Sequence, residues 1–248
     1  MFEPRLALAS LSGEADAEWA AAGANLAGAA FVGGITLDEP SREAARKLTE
    51  RDRNEFLPAD PLAFIKSQLS QLVDVPITAG INVRTTTVDP VQKAAAICAD
   101  HRAILEINAH CRQPELCAVG CGERLLADSG RLTTYVEAAA AEGPAVSVKV
   151  RAEVPDADLP TVAQQIEAAG GDIIHVDAMD SEGVIKDINE ATDLFIIANN
   201  EVRDRQSVET YLGYGADAVS VGRPSREPAG PVMQRVAEAV AAWEVTVK

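Results

Sequence analysis

Residues 145–151 read AVSVKVR, and this run decides how the rest of the chain is interpreted. Strand side chains alternate between two faces, so the three valines share one face while Ser147, Lys149 and Arg151 share the other. The valine face suits packing against helices. The other face carries two cations into the interior of a sheet, where burial is costly unless a polar or anionic ligand meets them. The run therefore predicts a strand with an apolar outer face and a functional inner face.

Apolar runs of strand length recur along the whole chain, separated by alanine-rich segments of helical period. The segment EFLPADPLAFIKSQLSQL predicts one additional helix between the second and third runs. Unbroken alternation predicts a parallel sheet, and eight repeats favour a closed α/β barrel, the (β/α)8 TIM barrel, over an open doubly wound sheet. No GxGxxG follows the first run, and no linker is visible, so we expect residues 1–248 to form a single domain. The runs are RLALAS, AGAAFVGG, VPITAGINV, AILEIN, AVSVKV, GDIIHVDAM, DLFIIANN and DAVSVG.

The composition is strongly acidic, with 22 Lys and Arg against 38 Asp and Glu, a formal net charge of −16 and a pI near 4.6. This balance opposes nonspecific attraction to nucleic acid phosphates or anionic lipid. Scarce lysine and alanine-rich helices predict a halophilic protein, in which salt screens surface charge. The start, MFEPRLALASLSGEAD, has no sustained apolar core, so we expect a cytoplasmic protein with reduced cysteines and no membrane partner.

Polar side chains end two further runs. ILEINAH places its polar residues on one face, and IIHVDAM does the same with His175 and Asp177. Barrel active sites lie at the carboxyl ends of the strands, so three strands aim polar groups at one place. A purely structural alternative is that His175 bonds to Asp177 at the rim and that Lys149 neutralises Glu106.

The seventh and eighth runs end in IIANNEVRD and AVSVGRP. Loops after these strands often form a phosphate site in TIM barrels. Asn199, Asn200, Gly222 and Arg223 suit this task, because the glycine permits close backbone approach and the arginine offers a planar fork to oxygens. Alternatively, Asn-Asn turns the chain and Gly-Arg-Pro closes the last strand.

The four cysteines are Cys98, Cys111, Cys117 and Cys121, and their spacing matches none of the usual ferredoxin patterns. We expect Cys98 to pack against the barrel as a small apolar residue. Three interpretations of Cys111 stay open: a proton donor, a ligand to a metal or an iron–sulfur cluster, or a buried filler. A donor needs an exposed place near cations, which the loop after the fourth strand provides.

The order of these motifs resembles the FMN-containing barrel of the tRNA-dihydrouridine synthases. Dihydroorotate and dihydropyrimidine dehydrogenases share much of the pattern. The resemblance runs from the third to the eighth strand and covers the barrel only, so we expect no helical tRNA-binding domain. The motifs are Asn108-x-x-Cys111, Gly120-Cys-Gly122 followed by Leu125-Leu126, Lys149-x-Arg151, His175, the pair Asn199-Asn200, and GADAVSVGR.

The resemblance implies an oxidoreductase that reduces the C5=C6 bond of uracil, in tRNA or in a small pyrimidine, with NAD(P)H as electron donor. Its catalytic residues would be Cys111 as proton donor, Lys149 at the flavin and His175 at flavin or substrate oxygens. Asn82 would replace the family's flavin-contacting glutamine. The implied FMN-binding residues are Asn82, Asn108, Lys149, Arg151, His175, Asn199, Asn200, Gly222 and Arg223.

Two departures from the family pattern leave other functions open. The usual Gly-Cys-Pro is His110-Cys111-Arg112 here, and the first strand, LALASLSG, lacks an Ala-Pro-Met type signature. One alternative is a flavin-free, phosphate-binding isomerase or aldolase that uses Lys149 as a base or Schiff-base amine. Another is an inactive barrel that serves as a scaffold.

Overall fold

The computed structural model describes residues 1–246, with side chains described up to Trp243. Eight parallel strands follow one another in chain order around a closed barrel, and the last pairs with the first. This confirms the predicted (β/α)8 TIM barrel and all eight predicted strands. The strands are β1 (Leu6–Leu8), β2 (Ala29–Thr36), β3 (Thr78–Arg84), β4 (Ile104–Asn108), β5 (Val146–Arg151), β6 (Ile173–Asp177), β7 (Phe195–Asn199) and β8 (Ala218–Val221).

Helices surround the barrel, and six of those in residues 1–246 begin after an aspartate whose carboxylate accepts a backbone N–H of the first turn. Such caps satisfy donors that a helix leaves free at its start, which gives several acidic residues a local structural role. The helices are α1 (Ala17–Gly23), α2 (Glu39–Thr49), α3 (Pro61–Leu72), α4 (Val88–Asp100), α5 (Pro114–Ala118), α6 (Glu123–Leu126), α7 (Ser129–Ala140), α8 (Leu159–Ala168), α9 (Val184–Ala191), α10 (Arg205–Gly213) and α11 (Pro231–Thr246), with a 3₁₀ helix at Arg223–Arg226.

The additional helix predicted between the second and third strands is α3, whereas α5, α6 and α9 were not predicted. The first two are shorter than two turns. Helix α9 has eight residues, no side-chain cap and only Ile185 and Ile188 buried. A two-residue apolar face is too short to establish a helical period in the sequence.

The barrel interior is layered, because inward-facing residues of neighbouring strands lie at similar heights. An apolar plug that includes Phe31, Ile104 and Ile197 fills the amino-terminal end. Above it lies the inner polar layer, formed by Asn82, Glu106, Ser147, His175 and Ser220, all fully buried. The rim layer follows at the carboxyl ends and comprises Arg84, Asn108, Lys149, Arg151, Asp177 and Asn199.

The outer faces of the strands pack against the helices. Val146, Val148 and Val150 are fully buried in the main core, as the alternation in AVSVKVR predicts. Within residues 1–246, no helix combines the length and the apolar character needed to cross a membrane.

Candidate active site

Two adjoining cavities of about 640 and 210 Å³ open at the carboxyl ends of the strands. The larger cavity lies within the size range of small-molecule sites. They share wall residues from the loops after β1, β4, β6, β7 and β8, so they form one continuous depression. The shared residues are Ser10, Leu11, His110, Lys149, Asp177, Asn200 and Arg223.

Lys149 is the central cation of this depression. Strand β5 holds its side chain inward, and the residue is only 4% exposed. Within residues 1–246, its ammonium group has no hydrogen-bond or ion-pair partner. Burial lowers the pKa of Lys149, although Glu106 and Asp177 oppose the shift. A buried cation without a partner is costly, so this position favours a ligand with oxygen or ring nitrogen acceptors.

Arg151 lies one inward position further along β5 and is also buried. Its guanidinium contacts the Met179 sulfur at 3.3 Å and lies 3.9 Å from the Glu123 carboxylate. A bidentate carboxylate pair would hold the group more firmly than these contacts do. Arg151 thus retains donors for a ligand in the larger cavity.

The loop after β4 places Cys111 on the cavity wall, half-buried. Asn108 Oδ1 accepts the backbone N–H of Cys111 at 3.0 Å and that of His110 at 3.2 Å. Gly122 closes the loop from the other side, since a Cβ there would lie 1.9 Å from the Cys111 carbonyl oxygen. The motif Gly120-Cys-Gly122 therefore has a physical role, which is to let a second turn dock against Cys111.

His110 and Asp177 form a pair at the rim. His110 Nε2 lies 2.6 Å from Asp177 Oδ2, and both residues line both cavities. Burial lowers the pKa of His110 and the Lys149 charge adds to this, while Asp177 opposes it. The suggested rim bond between His175 and Asp177 is wrong, because the β4 loop brings His110 to Asp177 and His175 lies one layer deeper.

His175 and Asn82 do not reach either cavity. His175 Nδ1 lies 2.7 Å from the Glu106 carboxylate, and its Nε2 lies 2.7 Å from the Ser220 hydroxyl. Asn82 donates to Glu106 at 2.7 Å and accepts from Asn108 at 3.0 Å. Both are fully buried in the inner polar layer, so they lie beneath the residues that a ligand can touch.

The carboxyl ends of β7 and β8 form the smaller cavity, with Asn199, Asn200, Gly222 and Arg223 on its wall. A Cβ at Gly222 would meet no atom within 4 Å, so the backbone there borders open space. Arg223 is exposed. Asn199 differs from the other three, because its amide nitrogen already donates to the Ser220 hydroxyl at 2.7 Å and to the Ser220 carbonyl at 3.0 Å.

Arg84 is a cavity residue that the sequence analysis missed. It ends β3 and pairs with Glu55 at 2.7 Å, with both side chains nearly inaccessible, and it also donates to the Ser12 hydroxyl. It thereby ties the end of β3 to the loop after β1 and to the segment between α2 and α3. Its sequence signal was the strand alternation, since Arg84 lies two residues after the inward-facing Asn82.

The remaining cysteines are not arranged for metal binding. Among the described residues, no cluster of three or more His, Cys, Asp or Glu could hold an ion. Cys98 is fully buried in α4, and burial raises the pKa of its thiol to about 12, as expected for an inert apolar side chain. Cys117 contacts the Cys111 carbonyl oxygen at 3.5 Å.

The structure therefore brings most of the predicted site residues to one continuous depression and leaves two below it. Asn82 and His175 are the two in the inner polar layer. Those on the cavity walls are Asn108, Cys111, Lys149, Arg151, Asn199, Asn200, Gly222 and Arg223.

Known proteins match both the sequence and the fold. A family model described as Dihydrouridine synthase (Dus) matches residues 79–235, more than half of the chain. The chain is 26% identical over 233 residues to the uncharacterized protein MJ0144 of Methanocaldococcus jannaschii, with 89% of each protein covered.

Among solved structures, the ligand-free type DHODH from Eimeria tenella matches with a TM-score of 0.70 and 17% identity, over 95% of this chain and 83% of that one. FabK from Thermotoga maritima matches with a TM-score of 0.59 and 15% identity, over 89% of this chain and 58% of that one. The tryptophan synthase complex from Pyrococcus furiosus matches with a TM-score of 0.59 and 14% identity, over 97% and 100%. At these identities the structural likenesses establish the fold alone.

Proposed function

The chain belongs to the dihydrouridine synthase family, a family of flavin-dependent oxidoreductases, and we propose that it reduces the C5=C6 bond of a uracil ring with FMN as cofactor. The family match confirms the resemblance seen in the sequence motifs. The substrate is a uridine of tRNA or a small pyrimidine, and NAD(P)H is the electron donor.

The residues of the depression suit FMN. Lys149 offers a buried ammonium that has no partner within residues 1–246, which fits the acceptor edge of a flavin ring. The open backbone at Gly222 and the exposed guanidinium of Arg223 would hold the phosphate. Arg151 would take flavin or substrate oxygens. When bound, FMN supplies the hydride for the reduction.

Cys111 acts as the acid. Its Sγ delivers a proton to one carbon of the C5=C6 bond while the neighbouring carbon receives the hydride, so the ring gains two hydrogens in all. Asn108 holds the Cys111 backbone in place through the 3.0 Å hydrogen bond. The His110–Asp177 pair lies on the same wall and adds polar groups that the family's Gly-Cys-Pro motif lacks.

One observation carries the proposal: the larger cavity of a chain of this family is lined both by a half-buried cysteine and by a buried lysine that is unpaired in the described part of the chain. A redox cofactor needs a cation at its ring, and the reduced carbon needs an acid on the substrate side. The two residues come from adjacent strands, β4 with its loop and β5, and so face one ligand position.

The first experiment is to purify the full chain in high salt, record its visible absorption spectrum and identify any cofactor that heat releases. Flavin bands with recovered FMN, or reconstitution on adding FMN, are the expected result. A colourless protein that FMN does not reconstitute would contradict the proposal. Borohydride trapping of Lys149 with a carbonyl substrate would then support the isomerase or aldolase alternative.

The substrate arm of the experiment uses two probes. An unmodified tRNA transcript and uridine monophosphate are each incubated with the flavin-loaded protein and NADPH, and dihydrouridine is quantified. Product from the transcript alone supports tRNA, and product from the nucleotide supports a small pyrimidine. A flavoprotein that reduces neither would leave the cofactor assignment standing and overturn the substrate class.

A further inference from the structure

A continuous chain of hydrogen bonds crosses the barrel beneath the site. It begins at Asn199 in β7 and passes through Ser220 in β8, His175 in β6 and Glu106 in β4. From Glu106 it continues through Asn82 in β3 to Asn108 at the end of β4, and then to the backbone N–H groups of residues 110 and 111. The chain thus connects the smaller cavity with the loop of the candidate acid.

Glu106 divides the chain into two branches: the asparagine branch runs through Asn82 and Asn108, and the histidine branch runs through His175, Ser220 and Asn199. Glu106 sets the direction of the hydrogen bonds in the asparagine branch. An ionised carboxylate only accepts hydrogen bonds, so Asn82 must turn its amide nitrogen toward Glu106, at 2.7 Å. The Asn82 oxygen then faces Asn108 and accepts its amide nitrogen at 3.0 Å. This leaves the Asn108 oxygen to accept the N–H groups of His110 and Cys111, so each amide has one allowed orientation.

The histidine branch is directed in the same way. His175 donates from Nδ1 to Glu106, so in its neutral form Nε2 is an acceptor and the Ser220 hydroxyl donates to it. The Ser220 oxygen then accepts the amide nitrogen of Asn199. That nitrogen also donates to the Ser220 carbonyl. The side-chain oxygen of Asn199, Oδ1, receives no hydrogen bond within residues 1–246 and is left for the smaller cavity.

We propose that Glu106 is a positioning residue that orients both ends of the site, holding the Cys111 loop through Asn82 and Asn108 and turning the Asn199 oxygen toward the ligand through His175 and Ser220. This inference rests on the proposed function only because it takes Cys111 as the acid. The orientation itself does not require a cofactor.

The charges of the pair agree with this direction. Burial opposes ionisation of Glu106, yet His175, Lys149 and Asn82 together hold its pKa below the ordinary value. Burial and the Lys149 charge lower the pKa of His175 more than Glu106 raises it. The two branches require a carboxylate at Glu106 and a neutral imidazole at His175, and the tautomer of His175 tests this combination.

The orientation has a consequence for the ligand. An acceptor at Asn199 selects a hydroxyl or N–H group and disfavours a phosphate, which offers only acceptors when ionised. The phosphate would therefore contact Gly222 and Arg223, and Asn199 would bind a donor group of the same ligand. On this proposal Asn199 accepts a hydrogen bond from a donor group of the ligand and does not bind the phosphate.

The test uses the full chain as purified and two measurements, the tautomer of His175 from long-range ¹H–¹⁵N NMR and the hydrogen exchange of the Cys111 amide. The chain has three histidines, which keeps the ring spectrum simple. We expect the Nδ1–H tautomer in the native protein. An Nε2–H tautomer or an imidazolium at neutral pH would overturn the proposal.

Glu106→Gln replaces one acceptor oxygen by a donor, so one branch must reverse. Either His175 moves its proton to Nε2 while the Cys111 amide stays protected, or the tautomer is kept and the asparagines rotate. Rotation should accelerate exchange of the Cys111 amide about tenfold, the effect of one lost hydrogen bond. A folded Glu106→Gln variant with both readouts unchanged would overturn the proposal.

Asn82→Ala provides a second variant in case Glu106→Gln does not fold. It cuts the asparagine branch alone, so exchange at the Cys111 amide should rise about tenfold while the His175 tautomer stays the same. Ser147→Ala is the matched control, since the Ser147 hydroxyl also contacts Glu106, at 3.2 Å, but lies outside the chain of bonds. Unchanged exchange in Asn82→Ala, or equal changes in Ser147→Ala, would contradict the proposal. If the protein binds no flavin but gives the expected results in these tests, the proposed function is wrong and this inference still holds.

Discussion

The inner polar layer and the rim layer are built from similar residues but differ in how their polar groups are satisfied. In the inner polar layer, Glu106 contacts both His175 and Asn82, and the remaining bonds of the three residues go to Ser147, Ser220 and Asn108. In the rim layer, Lys149 has no partner among the described residues, and Arg151 has only a weak one. Saturated groups fix geometry, whereas unsatisfied buried groups mark where a ligand must bind. The comparison separates positioning residues from ligand-binding residues, although both kinds are buried.

The largest expected effect comes from the cavity wall. Cys111→Ala should lower turnover about 10²- to 10⁴-fold, the usual contribution of a general acid, while flavin content stays at the native level. The measurement is dihydrouridine formed per bound flavin. Cys117→Ala, in the neighbouring helix α5, is the matched control and should retain native turnover. Equal activity of both variants would remove Cys111 from the acid role.

Lys149→Met tests the unsatisfied cation of the rim layer. Removing a buried charge that faces the ligand should reduce kcat/KM about 10²- to 10³-fold and weaken flavin retention during gel filtration. The fold should survive, because no group in the part of the chain that the structure describes depends on the ammonium for a hydrogen bond. Lys93→Met, on the exposed face of α4, is the control. A Lys149→Met protein with native flavin content and rate would contradict the placement of the cofactor.

Arg84 tests a rim residue that does have a partner. Arg84→Met leaves Glu55 buried without its counterion, so the free energy of unfolding should fall by about 3–5 kcal/mol. Urea unfolding measures this loss, and the double variant Arg84→Met with Glu55→Met should recover most of it. Arg46→Ala removes an exposed pair on α2 and should leave the midpoint unchanged. If Arg84→Met leaves the free energy of unfolding unchanged, the contacts of Arg84 are not needed for stability.

The smallest effect is the pH dependence of stability, to which both layers contribute. Burial lowers the pKa values of His110 and His175, so the unfolded chain takes up these protons at a higher pH than the folded chain. Stability present above about pH 6.5 is therefore lost as the pH falls toward the lowered values, by up to about 1.4 kcal/mol per pH unit for each histidine. His110→Gln and His175→Gln should each reduce the slope of urea midpoints against pH. Urea midpoints that do not change with pH in the native protein would contradict the lowered pKa values of both histidines.

Much of the fold was predictable because the signals are local. The alternation in AVSVKVR and the seven similar runs determine which side chains face inward, and the carboxyl ends of the strands determine where the site lies. The same alternation placed Asn108 and Lys149 correctly on the inner face. The depth of a residue along its strand was harder to predict. A shift of only two residues moves a side chain from the rim layer, on the cavity wall, to the inner polar layer below it.

Pairing between distant segments was not predictable from these signals. His110 reaches Asp177 because the Asn108 side chain turns the β4 loop toward β6, a path that no spacing in the sequence reveals. Arg84 at the end of β3 meets Glu55 in the segment between α2 and α3, and no spacing in the sequence reveals this pair either. Loop paths depend on side chains that bond to the backbone, and such bonds become visible only once the strands are assembled.

The scarcity of lysine has a practical consequence. Of the five lysines within residues 1–246, four lie on the surface, and Lys149 alone is enclosed at the floor of the larger cavity. An amine-reactive reagent should label the four exposed side chains quickly and Lys149 slowly, at a rate that depends on what fills the cavity. Peptide mapping of that one slow acylation therefore gives a chromophore-free assay of site occupancy, which can rank candidate cofactors and substrates before any turnover is detected.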